Sequence, residues 1–215
     1  MKFVPSFAAT LAAVAFMACG TVDANSQSVG HSGASVMNVG FSTLMRNPAT
    51  PFLGAEDADI TIISYMDYNC QYCKKMIPEI EGLLAADPKV RILYKEWPIF
   101  GAVSENASRM ALAAVYQGKY HEIHKAFMSS PTRIDSDETA RRLASAAGVD
   151  MARLDADLEA HRRKIDAVFR RNALEAAAMS LHGTPAFVIN GVLIPGGIEQ
   201  EQFQEIIRQI RAGAL

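Results

Sequence analysis

The pattern of apolar positions first becomes regular at residues 59–66 (DITIISYM), where β-branched and aromatic side chains predominate. A short apolar run of this kind predicts a buried β-strand. Apolar residues then recur at helical spacing over residues 74–86, and residues 90–95 alternate apolar and polar side chains. The order strand, helix, strand predicts a βαβ unit at the start of the folded region.

The middle of the chain, about residues 101–180, carries helical periodicity and no strand pattern. Serine and aspartate at helix starts, with glycine at helix ends, predict several consecutive helices there. The predicted starts are Ser104, Ser136 and Asp150, and the predicted ends are Gly118 and Gly148. This part is expected to form a helical lobe.

Strand patterns return at residues 186–189 and 192–194, on either side of Asn190-Gly191. Asn-Gly between two apolar runs is the strongest short signal of a β-hairpin, because both residues tolerate positive φ. A final amphipathic helix follows, with Phe203 and Ile206 on its apolar face. A βαβ half and a ββα half separated by helices predict an α/β fold, a thioredoxin-like core with an inserted helical lobe.

The N-terminal segment has the pattern of a targeting signal rather than of a folded element. Lys2 precedes an uncharged apolar stretch, and Val22-Asp23-Ala24 places small or modest side chains before a cleavage site at Asn25. We therefore expect a signal peptide over residues 1–24, with lipidation at Cys19 as the alternative. The Ser- and Gly-rich residues 25–50 are expected to form a flexible leader, and residues 51–215 the domain.

Charge and cysteine content narrow the function. The 215 residues include 21 basic and 23 acidic side chains, a net charge of -2, so no basic excess exists to bind nucleic acid. No later apolar run approaches the roughly 18 residues needed to span a bilayer, which excludes a polytopic membrane protein. Signal cleavage would remove Cys19 and leave Cys70 and Cys73 of the 3 cysteines.

Two cysteines separated by two residues form a poor structural crosslink, since so short a loop constrains little of the unfolded chain. In an exported protein this pair instead indicates redox chemistry. Cys70 precedes the predicted helix at 74–86, so unpaired N–H groups and the helix dipole would stabilise its thiolate. We expect Cys70 to be exposed, with a pKa well below about 8.5. The alternative from another class is a non-enzymatic copper(I)-binding protein that uses both thiolates as ligands.

Three motifs together carry a family resemblance. They are DYNCQYC at residues 67–73, Pro78 in the helix that follows, and GTPAF at residues 183–187. With the predicted signal peptide, they resemble the DsbA family of thioredoxin-fold disulfide oxidoreductases over roughly residues 51–215. The resemblance implies that Cys70 is the nucleophile, that Cys73 resolves mixed disulfides, that Thr184 contacts substrate, and that the Thr184-Pro185 bond is cis.

The same resemblance implies the partners of the protein and its compartment. The partners would be reduced or misfolded exported proteins and a membrane redox partner that resets the cysteine pair, in the periplasm or another extracytoplasmic compartment. Gln71 and Tyr72 would tune the thiolate with hydrogen-bonding groups but no cation. We expect neither a cofactor nor a metal site.

One position departs from the family pattern. Thioredoxin-fold enzymes often have an acid six residues before the nucleophile, and this chain has Ser64 there. Asp67 and Glu96 are the nearest candidates for a carboxylate that handles protons, although Asp67 equally suits a role in capping the loop before the helix.

The histidines favour packing or surface roles. His121 and His124 are three residues apart on a predicted helix and would bind a metal only if both faced one cavity. No second cysteine pair exists to complete a zinc site. His182 adjoins the Thr-Pro motif, but nothing in the sequence requires it for function.

Two observations on the direction of exchange oppose each other. Residues 25–50 are too short and too rich in Gly and Ser for a heptad-built dimerisation stalk, which an isomerase of this fold would need. Thr184 before Pro185, and the absence of a histidine between the cysteines, instead resemble isomerases or reductases. We give the missing stalk more weight and expect a monomeric, moderately oxidising enzyme.

Overall fold

The computed structural model describes residues 35–36, 40–45 and 50–215. The expected signal peptide over residues 1–24 and Cys19 lie outside this range. The described residues form one mixed sheet in the strand order β1-β6-β5-β3-β4-β2. The strands are β1 (Ser35–Val36), β2 (Phe52–Gly54), β3 (Ile60–Met66), β4 (Val90–Glu96), β5 (Ala186–Ile189) and β6 (Val192–Pro195).

Strands β3 and β4 are parallel, as a βαβ unit requires, and every other pairing in the sheet is antiparallel. The four strands predicted from the sequence are therefore all present in one sheet. The hairpin between β5 and β6 turns at Asn190 and Gly191, whose φ angles are 45° and 99°. The Asn190 side chain also accepts a hydrogen bond from the Thr61 N–H at 2.8 Å, which ties the turn to β3.

The predicted helical lobe is confirmed, because residues 102–178 contain helices and no strand. Ser136 and Asp150 cap helices as expected, each accepting a hydrogen bond from a backbone N–H three residues later. Ser104 does not: it lies inside a helix that begins at Ala102, and its buried hydroxyl contacts Asp67 instead. The helices are α1 (Phe41–Leu44), α2 (Gln71–Ala86), α3 (Ala102–Ala114), α4 (Tyr120–Met128), α5 (Asp137–Ala146), α6 (Met151–Ala178) and α7 (Gln200–Arg211), with a 3-10 turn at Val115–Gln117.

The sheet has two covered faces. Helices α2 and α7 and the helical lobe contribute to one hydrophobic cluster, on the side that we call the lobe face. Helix α1 and the C-terminal end of α6 contribute to the second cluster, on the side that we call the rear face. Because side chains alternate along a strand, neighbouring residues of β4 enter different clusters: Tyr94 the lobe face and Leu93 the rear face.

The structure differs from the prediction in the leader and at the sheet edge. Residues 25–50 were expected to form a flexible leader, yet β1 pairs with β6, and Leu44 of α1 is only 1% exposed on the rear face. The apolar residues of α1 are too few to predict a helix without the sheet that they cover. The edge strand β2 is also additional, and at its end Gly54 has a φ of 105°, where a Cβ would clash with the Val90 carbonyl oxygen.

Candidate active site around the cysteine pair

The two cysteines lie where β3 ends and α2 begins. Cys70 is the N-cap residue of α2, and its sulfur accepts a hydrogen bond from the Cys73 N–H at 3.3 Å. Both cysteines are free thiols, so the structure represents the dithiol form. The predicted position of Cys70 at a helix N-terminus is confirmed.

The two thiols differ sharply in acidity. The pKa of the Cys70 thiol is lowered to about 6, mainly because the Cys73 thiol donates a hydrogen bond to it. Backbone N–H groups of Tyr72 and Cys73 lower this pKa further, against the opposing effect of burial. Burial raises the pKa of the Cys73 thiol far above its ordinary value. At neutral pH the site therefore holds one thiolate and one thiol, as an exchange reaction needs.

Cys70 is less accessible than the sequence predicts. It was expected to be exposed, but it is only 2% exposed. The reason is the chain before β5, where the Thr184 carbonyl oxygen lies 3.2 Å from the Cys70 sulfur. Between the cysteines, Gln71 and Tyr72 are both exposed, and Tyr72 is 68% exposed. The rim of the site is thus open, while the sulfur lies just beneath it.

Fold topology brings the Thr-Pro motif to the cysteines. Thr184 lies 114 residues after Cys70, yet the pairing of β5 with β3 places the two side by side. The Thr184-Pro185 bond is cis, as expected. Pro185 is buried and lines a small cavity together with Cys73.

Asp67 has a loop-capping role. Its carboxylate is fully buried and accepts four hydrogen bonds: from the N–H groups of Asn69, Ile99 and Phe100 and from the Ser104 hydroxyl, at 2.7, 2.7, 3.1 and 2.8 Å. These bonds fasten the loop before Cys70 to the segment that enters α3. Of the two interpretations of Asp67, the structure favours capping over proton handling.

Glu96 has a different environment. It is fully buried at the end of β4, and its Oε1 accepts hydrogen bonds from the hydroxyls of Tyr68 and Tyr120, at 2.7 and 2.8 Å. The Tyr68 hydroxyl also lies 3.2 Å from Nδ1 of His124. Burial raises the pKa of Glu96 to about 7 and lowers that of His124 to about 3. The cluster therefore holds a neutral imidazole and a carboxyl group that titrates near neutrality.

The structure separates the histidines. His124 is buried, whereas His121 and His182 are exposed, so His121 and His124 do not share one cavity. Within the described ranges, no group of three or more His, Cys, Asp or Glu side chains is placed to hold a metal ion.

Sequence reasoning noted Glu96 and His124 separately but did not join them to Tyr68. Two signals were available: Glu96 directly follows a buried strand, and His124 lies four residues after Tyr120 on one helix face. Their proximity depends on how α4 packs against the sheet, which no local pattern encodes.

Comparison with known proteins agrees with this geometry. The DSBA-like thioredoxin domain family matches residues 61–208. A thioredoxin-like oxidoreductase from Silicibacter pomeroyi DSS-3 is 37% identical, with a TM-score of 0.76 over 80% of this chain and 98% of that one. A periplasmic thioredoxin-like protein from Salmonella enterica serovar Typhimurium is 26% identical, with a TM-score of 0.71 over 81% of this chain and 97% of that one.

Curated relatives include the Na(+)/H(+) antiporter NhaA 1 of Mycobacterium sp. (strain KMS), 27% identical over 165 residues. This similarity covers 74% of the present chain but only 26% of the antiporter, so the chain spans about a quarter of that relative's length. Among the described residues, every helix is too short or too polar to span a bilayer. The family match covers most of the chain and includes both cysteines and the Thr-Pro motif, so this protein belongs to the DSBA-like thioredoxin domain family of thiol–disulfide oxidoreductases.

Proposed function

We propose that this protein is an extracytoplasmic thiol–disulfide oxidoreductase that donates disulfides to reduced exported proteins, with Cys70 as the nucleophile and Cys73 as the resolving cysteine. The observation that carries the proposal is the contrast between the two thiols: the pKa of Cys70 is lowered to about 6, whereas that of the buried Cys73 is raised. The periplasmic origin stated for the Salmonella neighbour supports the compartment.

The reaction proceeds in two exchanges. A substrate thiolate attacks the Cys70 sulfur of the oxidised enzyme, the Cys70–Cys73 bond breaks, and Cys73 leaves as a thiolate that takes up a proton. A second substrate thiolate then attacks the substrate sulfur of the mixed disulfide and releases Cys70 as a thiolate. The substrate loses two electrons and gains a disulfide, and a membrane redox partner removes the two electrons from the enzyme.

The lowered pKa makes the Cys70 thiolate a good leaving group in the second exchange, when the mixed disulfide is released. A lower thiolate pKa also stabilises the dithiol form and so makes the enzyme more oxidising. A value of about 6 lies between those of thioredoxin, about 7, and of strongly oxidising DsbA, about 3.5. We therefore expect a reduction potential between about −270 and −120 mV.

The segment that contacts substrate is the one that covers the cysteines, at Thr184 and Pro185. Thr184 lies directly above Cys70, and proline at the next position has no N–H, so the backbone of Thr184 is the group left to pair with an extended substrate. Tyr72 lies between the two cysteines, and the N–H groups of Ile99 and Phe100 donate to Asp67 in the loop before Cys70. All three side chains are exposed, and they provide apolar area for an unfolded substrate.

A monomer is the expected state. The segment that would have to build a dimerisation stalk is partly used as β1 and α1 on this chain's own sheet. Sedimentation of the purified protein as a stable trimer, together with faster repair of scrambled than of reduced substrate, would assign isomerase activity instead.

The test compares two cysteine variants on a reduced, unfolded substrate. Cys70→Ser should abolish oxidative refolding, whereas Cys73→Ser should accumulate mixed disulfides that are visible on non-reducing gels. Wild-type protein that takes up copper(I) tightly without any turnover would support the metal-binding alternative and contradict the proposal.

A further inference from the structure

A chain of buried polar groups connects Glu96 to the cavity beside the resolving cysteine. Glu96 accepts from Tyr68 at 2.7 Å, Tyr68 contacts His124 at 3.2 Å, and His124 lines the same small cavity as Cys73. We propose that Glu96, Tyr68 and His124 form a proton relay for Cys73. The inference rests on the exchange reaction proposed above and adds to it the route of the Cys73 proton.

The direction of each hydrogen bond in this series follows from counting protons. The Tyr68 hydroxyl has one proton, and it donates this proton to the ionised Glu96 carboxylate. Nδ1 of His124 must then be the donor to the Tyr68 oxygen, so Nε2 of the neutral ring carries a free lone pair. Among the described residues, this Nε2 is buried and has no hydrogen-bond partner. An unpaired buried nitrogen costs free energy, and a functional role accounts for its retention.

His124 and the resolving cysteine line one small cavity. Cys73 and His124 both line it, together with Ser64, Tyr94, Pro185 and apolar side chains, and it has room for about one water molecule. The path that we propose from Cys73 to His124 crosses this cavity through a single water. Ser64, at the position where related folds often have an acid, contributes only a hydroxyl, so among the residues that line the cavity His124, from the lobe, is the one with a basic nitrogen.

The step is balanced when Cys73 closes the disulfide. The Cys73 thiol gives its proton to Nε2 of His124, Nδ1 gives its proton to Tyr68, and Tyr68 gives its own to Glu96. The Cys73 sulfur attacks the Cys70 sulfur of a mixed disulfide, and the former substrate leaves as a thiolate. When Cys73 itself is the leaving group, every proton moves in the opposite direction.

This route avoids forming a buried imidazolium cation at His124. The pKa of His124 is lowered to about 3 by burial, so a charged ring is costly. Glu96, with its pKa raised to about 7, can hold the proton at neutral pH, and His124 changes only its tautomer. The titratable or polar groups that face Glu96 and His124 are Tyr68 and Asp67 from the loop after β3, Tyr94 from β4, Ser108 from α3, and Tyr120 and His121 from α4.

The experiment separates the two steps of reaction with oxidised glutathione. Attack by Cys70 forms a mixed disulfide, and attack by Cys73 then closes the disulfide and releases glutathione. Acid quenching followed by mass spectrometry measures both rates across pH 5–9. In the wild type, we expect the closure rate to rise with a midpoint near the Glu96 pKa of about 7 and then to level.

His124→Phe and Tyr68→Phe interrupt the relay and should slow closure about 10²-fold at pH 7, the usual size of a general acid–base contribution. In these variants the closure rate should rise in proportion to the hydroxide concentration, with no midpoint near pH 7. The rate at which the mixed disulfide forms should change less than about twofold. His124→Gln, which keeps a polar side chain, guards against a folding defect and should behave in the same way. Circular dichroism verifies the fold of each variant.

Tyr120→Phe is the matched control. Tyr120 also donates to Glu96 but is not on the path to His124, so its loss should move the midpoint upward and keep the relay. Unchanged closure profiles in folded His124→Phe, His124→Gln and Tyr68→Phe would overturn the relay and leave His124 a packing residue. Failure of the wild type to form any mixed disulfide would overturn the proposed function itself, which is a separate result.

Discussion

The last two residues of β4 are both charged and buried, but they face opposite sides of the sheet. Lys95 is 1% exposed on the rear face, and its ammonium lies 2.9 Å from a carboxylate oxygen of Glu175 on α6. Glu96, on the lobe face, has two tyrosine hydroxyls and no cation partner among the described residues. The comparison shows two ways in which a carboxylate is accommodated against the same sheet.

The difference between the faces is electrostatic. The Lys95 ammonium lies beside Oε2 of Glu175, and the Tyr65 hydroxyl donates to the same oxygen at 2.8 Å, so both partners hold the carboxylate in place. Burial lowers the pKa of Lys95, and Glu175 opposes this shift. Without a cation, burial dominates at Glu96 and raises its pKa to about 7. A carboxylate that is paired with a cation serves the structure, whereas a buried carboxylate without a cation becomes able to titrate near neutral pH.

The largest expected effect is on the rear face. Glu175→Gln leaves the Lys95 ammonium buried without its counter-charge, and breaking a buried pair in this way costs about 3–5 kcal/mol of unfolding free energy. Urea unfolding at pH 7 measures it. The double variant Lys95→Met/Glu175→Leu removes both charges and should recover most of the loss. Equal losses in the single and double variants would mean that packing, not charge pairing, holds this face together.

The next effect is a pH dependence on the lobe face. The folded chain holds the Glu96 proton up to a pKa of about 7, whereas the unfolded chain releases it near about 4.3. Between these values the folded state binds more protons, so this group's contribution is fully present below pH 4.3 and is lost as pH rises to 7. The loss is roughly 4 kcal/mol.

Glu96→Gln removes that contribution. Subtracting its unfolding free energy from that of the wild type at each pH cancels the other carboxylates, because both proteins contain them. We expect the difference to favour the wild type progressively less from pH 4.3 to 7 and to be constant above. A difference that does not depend on pH would show that Glu96 has an ordinary acidity.

The smallest effect distinguishes the tyrosines of the two faces. Tyr65→Phe removes one hydrogen bond to Glu175, which keeps Lys95, so the cost should be about 1–2 kcal/mol and independent of pH from 5 to 8. Tyr68→Phe removes a hydroxyl that lowers the Glu96 pKa, so it should extend the pH-dependent loss to higher pH. Identical stability profiles for the two variants would contradict the contrast between the faces.

Local pattern was sufficient for most of the elements. The apolar run before Met66, the Asn190-Gly191 turn and the caps at Ser136 and Asp150 each have a signal within a few residues, and the structure confirms them. Elements of only two to four residues were missed. Strand β2 and helix α1 become stable only by pairing with β4 or covering the rear face, so their short segments carry weak patterns.

By itself, the sequence determined the α/β order, the helical lobe and the placement of Cys70 at a helix N-terminus, because these depend on spacing within one element or motif. The tertiary structure decided that Thr184 covers Cys70, that Asp67 fastens a loop, and that Glu96 reaches His124 through Tyr68. These contacts join residues from different elements, and their burial and acidity depend on everything packed around them. The chemistry of the cysteine pair therefore follows from the local sequence, whereas the route of its protons depends on the tertiary structure.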